Sequence, residues 1–367
     1  MPDYVYVLGD ILDPSTFYGE LELSNVTCDR QLSQVGNLSG SFSMLDRKSQ
    51  LILSNFFPGK RSVYAYRDGD CIWGGILWGY QYMSDQKSFT LSASTWESWF
   101  DHVALEDIDF VTTQLFGGTA DNPTNSDVMI WLVSKLNTLT NIGVSVNSPY
   151  AYKAAASTNN PSFPATAIPG YEYHMASEII QTLQDNGAVY YIDPLTRVLY
   201  FDPQTTNNVY REYEYPGGIS NYVLSNTSTS AAVRFGALGA GSGNQEIRTA
   251  FDSSEGSDAT WPNWYKILTN PNIGTVEGLT TWAKAQATNY AFSVQSLPTF
   301  ICNPDKSKFD LWNKLGASVT VNIQDIRTNQ IRTPYTDQLV GWQLTPQSST
   351  NEEQLQFVLG KSLKVGQ

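Results

Sequence analysis

The sequence predicts a mainly β fold with an α+β insertion: two similar small antiparallel β-barrel domains and a helix-hairpin domain between them. Three observations carry this. A run of strands in tight series lies near the N-terminus, the middle switches to helical periodicity, and the last third returns to strands around one longer helix.

The stretch Arg61–Asp101 is the most informative. Val63, Tyr64, Ala65 and Tyr66 form a strand that turns at Asp68-Gly69, a strong short hairpin signal because a type I′ turn needs positive φ at both central positions. The return strand carries Cys71, Ile72 and Trp73 and meets Gly74-Gly75, which mark a bulge or a close approach of another backbone. It resumes through Ile76, Leu77, Trp78 and Tyr80, turns at Ser84–Lys87, and returns as Phe89, Leu91 and Ala93. Behind a Ser/Thr cap, Trp96, Trp99 and Phe100 stand at helical spacing. These aromatics are either all core, or part of the glycine-kinked strand faces another subunit.

Before this stretch, Tyr4–Leu8, Phe17–Leu23 and Ser39–Met44 read as strands, and apolar Leu51–Phe57 stops at the Pro58-Gly59 turn. A first barrel over residues 1–108 follows. The insertion, 109–212, holds a helical stripe (Val128, Ile130, Leu132, Leu136, Leu139) capped by Ser126-Asp127. A polar surface loop from Asn147 to Gly170, a helix from His174 to Leu183, and a hairpin of Ala188–Ile192 with Arg197–Phe201 complete it. In the last part, 213–367, strands are expected at Ala231–Gly236, Gln245–Phe251, Ser293–Cys302, Ala317–Ile323, Gln330–Gln343 and Gln354–Leu359, with a helix at Val276–Tyr290. The two outer parts share a layout, which points to an internal duplication.

Composition narrows the function classes. With 35 acids against 22 bases the net charge is −13, which argues against direct grip on nucleic acid. Cys28, Cys71 and Cys302 are odd in number and in no CxxC spacing, so they read as reduced, buried small residues. No run of about 18 apolar residues is present to span a bilayer, and the N-terminus shows no signal peptide.

Motifs for chemistry fail in context. The glycine run Gly236–Gly243 contains GxGxG, but no helix start, βαβ unit or Lys-Ser/Thr follows, so a flexible hairpin or subunit-contact loop is expected in place of a phosphate cradle. His102 has no nucleophile in an elbow context, and His174 with Glu178 one turn on reads as a cap or salt bridge. No catalytic, metal or cofactor residues are assigned.

The succession Phe56-Phe57-Pro58-Gly59, Val63–Gly69, Trp73-Gly74-Gly75-Ile76 and Thr90–Ala93 resembles the N-terminal barrel of the tail-tip or baseplate-hub minor tail proteins of long-tailed bacteriophages. The helix-hairpin insertion and second barrel fit the same family by layout. The resemblance implies tail-tube-like barrels and a homotrimer whose pseudo-six-fold ring matches a hexameric tail tube. It implies contacts with a tail tube or distal tail protein, a tail fibre or receptor-binding protein and a tape measure protein, and a lumen through which DNA passes without specific binding. The expected place is the virion tail tip, after synthesis in the host cytoplasm. Trp73, Gly74, Gly75, Trp78, Gly239, Gly241 and Gly243 are the candidate subunit-interface residues. The alternatives are a carbohydrate- or receptor-binding module, recognised by exposed coplanar aromatics, and a cell-wall or polysaccharide hydrolase.

Overall fold

Two-residue alternation of buried and exposed side chains sets the sheet strands. In Asn37–Ser43, Leu38, Gly40 and Phe42 are buried while Asn37, Ser39 and Ser43 are exposed, the pattern of a strand with one face on a core. The computed structural model describes residues 2–43, 50, 52–85, 87–105, 123–152, 156–157, 160–163, 173–203, 209–223, 232–252, 264–271, 273–287, 298–325, 330–331, 334–346 and 352–360.

The first part contributes β1 (Tyr4–Asp10), β2 (Phe17–Leu21), β3 (Ser24–Gln31), β4 (Asn37–Ser43), β5 (Arg61–Arg67), β6 (Asp70–Met83) and β7 (Ser88–Thr95). The middle contributes β8 (Ala104–Leu105), α1 (Asn125–Thr140), β9 (Ser145–Asn147), β10 (His174–Met175), α2 (Ala176–Asp185), β11 (Tyr190–Ile192) and β12 (Val198–Phe201). The last part holds β13 (Tyr210–Tyr215), β14 (Ile219–Val223), β15 (Arg234–Leu238), β16 (Arg248–Asp252), β17 (Tyr265–Thr269), α3 (Val276–Ala287), β18 (Thr299–Cys302), α4 (Pro304–Ser307), β19 (Ser318–Asp325), β20 (Gln330–Ile331), β21 (Tyr335–Thr345) and β22 (Gln354–Gly360).

Fourteen of these strands join one largely antiparallel sheet. In the first part neighbours run β3-β4-β7-β6-β5-β1-β2; in the last, β14-β18-β22-β21-β19-β13, with β13 parallel to β19. β21 joins the two. Its residues Tyr335–Gln338 pair with β19, and after an extra residue at Val340 its residues Gly341–Leu344 pair with β3. One apolar core, from Leu8 and Trp73 through Trp342 to Phe357, spans both parts.

A second core lies outside the first sheet. β6 is buried on both faces because Ile72, Trp73 and Leu77 enter the first core while Cys71 and Ile76 enter the second. That second core adds Trp96, Trp99 and Phe100 of a 3-10 helix (Trp96–His102) to Leu132, Leu136, Ile179 and Leu183 of α1 and α2. The inserted unit thus shares its interior with the first sheet. Among the described residues, no helix is long and apolar enough to cross a membrane.

Several expectations shift. Ser24–Gln31, unassigned from the sequence, is β3, whose buried Val26, Cys28 and Arg30 put a charged residue on the core face and so blur the apolar alternation. Residues 50, 52 and 53, read within the strand region, are helical. The cap of α1 is Thr124, which exchanges hydrogen bonds with Asp127 in a capping box. α2 begins at Ala176, since His174 and Met175 pair with β8. The Thr95 side chain caps nothing in its helix; it accepts from the Gly36 N–H at 3.0 Å. The expected boundary between 212 and 213 falls inside β13 (Tyr210–Tyr215). Half of the expected loop from Asn147 to Gly170 and the boundary near 108 lie outside the described residues.

Arg30 ties the three parts together. Buried on β3, it donates to the Ile192 carbonyl (2.6 Å), to Asn313 Oδ1 (2.8 Å) and to the Trp312 carbonyl (3.3 Å). Arg30→Met is expected to lower unfolding free energy by about 3 kcal/mol, since it strands buried carbonyls that accepted from a charged donor. Chemical denaturation followed by tryptophan fluorescence checks this.

Candidate functional site

The seven candidate interface residues divide by surroundings. Trp73 is 0 % exposed and donates from Nε1 to the Asp29 carbonyl at 3.0 Å, so its contacts lie within the chain. A Cβ on Gly74 would lie 2.6 Å from the Pro194 carbonyl oxygen, and one on Gly75 would lie 2.0 Å from that of Ser94. The paired glycines therefore admit the insertion's β-turn on one side and strand β7 on the other. The ladder irregularities of β6 lie elsewhere, with Ile72 and Trp78 as the extra residues. Trp78 is half-buried; its indole donates to Ser98 Oγ at 2.9 Å and stacks on His102 at 3.7 Å between ring centroids.

The glycine run belongs to a unit the sequence had not resolved. β15 is the centre of a three-stranded sheet, antiparallel to β16 and parallel to β17. α3 covers one face, packing Leu279, Ala283 and Ala287 on Phe235, Ala237 and Leu268. Gly239 is buried, with the Ile273 carbonyl oxygen 2.7 Å from where its Cβ would stand. Gly241 takes φ +107°, where a side chain is strained, and sits against Gln245. Gly243, at φ +61°, is exposed with open space around it. Of the seven, Trp78, Gly241 and Gly243 retain outward surface.

No constellation of reacting groups assembles among the described residues. His102 lies under Trp78, and His174 Nδ1 meets Glu178 Oε2 at 2.7 Å one turn along. Burial pushes the Cys71 thiol up to about 12 and Cys302 to about 11, and raises Cys28 as well, so all three are inert thiols. Among the described residues, no group of three or more His, Cys, Asp or Glu is placed to hold a metal ion.

What the sequence did not reveal is a set of buried charges at the junctions. Arg197 donates to the carbonyls of Ile11 (2.7 Å) and Ile142 (2.9 Å) and to Tyr64 Oη (3.0 Å), with its guanidinium 4.2 Å from the Trp96 ring centroid. Arg67 forks onto Glu353 at 2.8 and 3.0 Å and reaches Asp305, fixing the β5 end to the entry of β22. Glu97 is buried, and its Oε1 accepts from the Ile192 N–H at 2.7 Å. Burial holds its carboxyl above the ordinary 4.5, a rise that nearby Arg30 opposes. Sequence offered one signal for these sites: charged residues set within apolar runs, as in Trp96-Glu97-Ser98-Trp99.

No protein-family model and no curated protein matches the sequence. Solved structures do. The tail protein from Neisseria meningitidis MC58 aligns at TM-score 0.63 and 12 % identity, over 97 % of this chain and 96 % of that one. The 43 kDa tail protein of prophage MuSo2 from Shewanella oneidensis aligns at TM-score 0.62 and 10 % identity, over 97 % and 98 %. A chain of the Francisella PdpA-VgrG complex aligns at TM-score 0.55 and 8 % identity, over 98 % of this chain and 58 % of that one. At these identities the likeness is one of fold. Over nearly its whole length this chain has a fold like that of these tail proteins.

Two expectations test this geometry. Gly75→Ala is expected to cost about 3 kcal/mol or prevent folding, while Gly243→Ala costs about 1 kcal/mol, paired melts of the two variants giving the contrast. For Glu97 the folded-state pKa is raised, so its stabilising contribution is full below 4.5 and lost as pH rises through the folded value. The stability of Glu97→Gln relative to wild type should therefore increase from acid to mildly basic pH, measured as melting temperature against pH.

Proposed function

We propose that this chain is a structural virion protein, a phage tail-tip or baseplate hub in which three copies form a ring of six similar barrels. The observation that carries the reading is one strand plan used twice. Aligning β3, β4, β5, β6 and β7 with β14, β18, β19, β21 and β22 gives the same neighbour order in both parts. Helical residues stand between the second and third of these in each, at 50, 52 and 53 and at Pro304–Ser307.

Linker lengths support rolled sheets. β2 and β3 are the two ends of the first order, yet only Glu22 and Leu23 join them. Two linking residues reach at most about 11 Å, whereas the ends of a flat seven-stranded sheet stand about 29 Å apart. β13 and β14, the ends of the second order, are joined by Pro216, Gly217 and Gly218 alone. That link reaches about 15 Å, against about 24 Å for a flat six-stranded sheet. Each sheet must curl until its ends approach, as a barrel does.

Three chains with two barrels each supply six similar units, which is what seating on a six-fold tube requires. In this reading one face of the ring meets the tail tube or distal tail protein and the other a fibre or receptor-binding protein. The tape measure protein and then DNA occupy the lumen, where a chain of net charge −13 gives phosphate no grip. The inserted helix-hairpin unit widens the collar. Tyr80 and Tyr82, both about half exposed, pack on Phe89 within one aromatic cluster, which leaves the sugar-binding alternative to the oligomer test. Among the described residues His102 stacks on Trp78 and His174 pairs with Glu178.

Light scattering and negative-stain imaging test this. The expected result is a particle of three chains with three-fold symmetry; a protein that stays monomeric at high concentration and also with its tube protein present overturns the reading.

A further inference from the structure

We propose that the small sheet β16-β15-β17 is completed between copies of this chain, the outer edge of β17 in one copy pairing with the outer edge of β16 in the next. The inference rests on the three-copy ring and specifies a contact within it.

The backbone shows which groups are on offer. Arg234 N–H donates to the Trp264 carbonyl at 3.0 Å and Asn270 N–H to the Leu238 carbonyl at 2.8 Å. In a parallel ladder alternate residues bond to the same neighbour, so Tyr265, Ile267 and Thr269 turn their peptide groups to the outer edge. On β16, Gly239 N–H donates to the Ile247 carbonyl at 2.7 Å, and with the register Gly236↔Ala250 this leaves Arg248, Ala250 and Asp252 facing outward. Among the described residues no strand occupies either edge.

β17 carries a single charged residue, Lys266, which alternates to the α3 side of the sheet with Leu268. No proline interrupts it, and the open face of the sheet carries Tyr265 at 54 % and Ile267 at 59 % exposure, beside Trp264 at 55 %. Charges, proline or a bulge guard an edge that must stay free. On the open face of β17 an aromatic and a β-branched residue stand in place of charge, while the outward positions of β16 include the charged Arg248 and Asp252.

Direction selects a second copy as the occupant. β17 runs parallel to β15 and β16 antiparallel, so the two edges run opposite ways. Rotation about an axis along the strands then sets β17 of one copy antiparallel to β16 of the next, the more stable pairing. Such a contact is head-to-tail and closes after three copies. It forms a nine-stranded ring from three three-stranded sheets, with α3 outside and Leu238, Tyr265 and Ile267 inside.

Two measurements on the full chain test it. Ile267→Pro removes an outward N–H without touching the β15 ladder, and should weaken self-association at least about tenfold with the melting curve of each chain retained. In a variant carrying Ile267→Cys and Ala250→Cys, oxidation should give an interchain disulfide and a three-chain band on a non-reducing gel, the native cysteines being buried. A three-chain particle without that crosslink, and with amides 265, 267 and 269 exchanging as freely as in dilute monomer, overturns the edge pairing alone. Crosslinking that stops at two chains overturns the closed ring of strands. Absence of any three-chain particle removes this contact and the hub reading together.

Discussion

The guanidinium of Arg30 is the interaction on which the arrangement depends. A charge out of water is costly unless its donors are satisfied, and here β3 carries the donor while the acceptors come from two distant stretches, Ile192 in the insertion and Trp312 and Asn313 before β19. Hydrogen bonds of this kind are directional, so the parts can meet in few ways. Apolar contact alone would not specify the meeting so closely, because a greasy face tolerates sliding. Trp342 reinforces the point by donating its indole N–H to the same Trp312 carbonyl at 3.1 Å.

β21 makes that junction continuous. It begins as a partner of β19, takes an extra residue at Val340, and ends beside β3. Gly341 stands at the changeover, where a Cβ would come within 2.9 Å of the Arg30 carbonyl oxygen. The close approach that brings the two sheets together thus also positions the backbone carrying Arg30. A bulge is a usual means of bending a strand away from its first neighbour, and this one lets a single strand serve two sheets.

Much of the fold was legible because its signals are local. Asp68-Gly69 announces its hairpin, and Asp193 fixes that of β11 and β12 by accepting from Leu195 and Thr196 N–H. The strands Gln354–Gly360 and Ser318–Asp325 were readable from apolar alternation. Less was legible of the candidate surface. Gly74 and Gly75 marked a close approach, yet nothing in the sequence says whether the approaching backbone is Pro194 and Ser94 of this chain or another subunit. β3 escaped notice because Arg30 occupies a core position; of the small sheet, strands were expected near β15 and β16, but β17 and the pairing of the three were not, since β17 is only five residues long and its partner β15 is not its neighbour in sequence. Non-local partners are what single-sequence patterns lack.

The differences between the two halves carry as much meaning as their likeness. The link from β3 to β4 is the short segment 32–36, while the matching link from β14 to β18 runs from 224 to 298 and contains the β15–β17 sheet and α3. The first half also keeps β1 beside β5, a place that β13 fills in the second, running the other way. On the proposed ring, the shared strands recur every sixth of a turn and can meet a six-fold neighbour equivalently. The unshared elements recur every third, so partners of lower symmetry must read those. Duplication followed by unequal decoration is therefore enough, physically, for one chain of the proposed ring to face both symmetries.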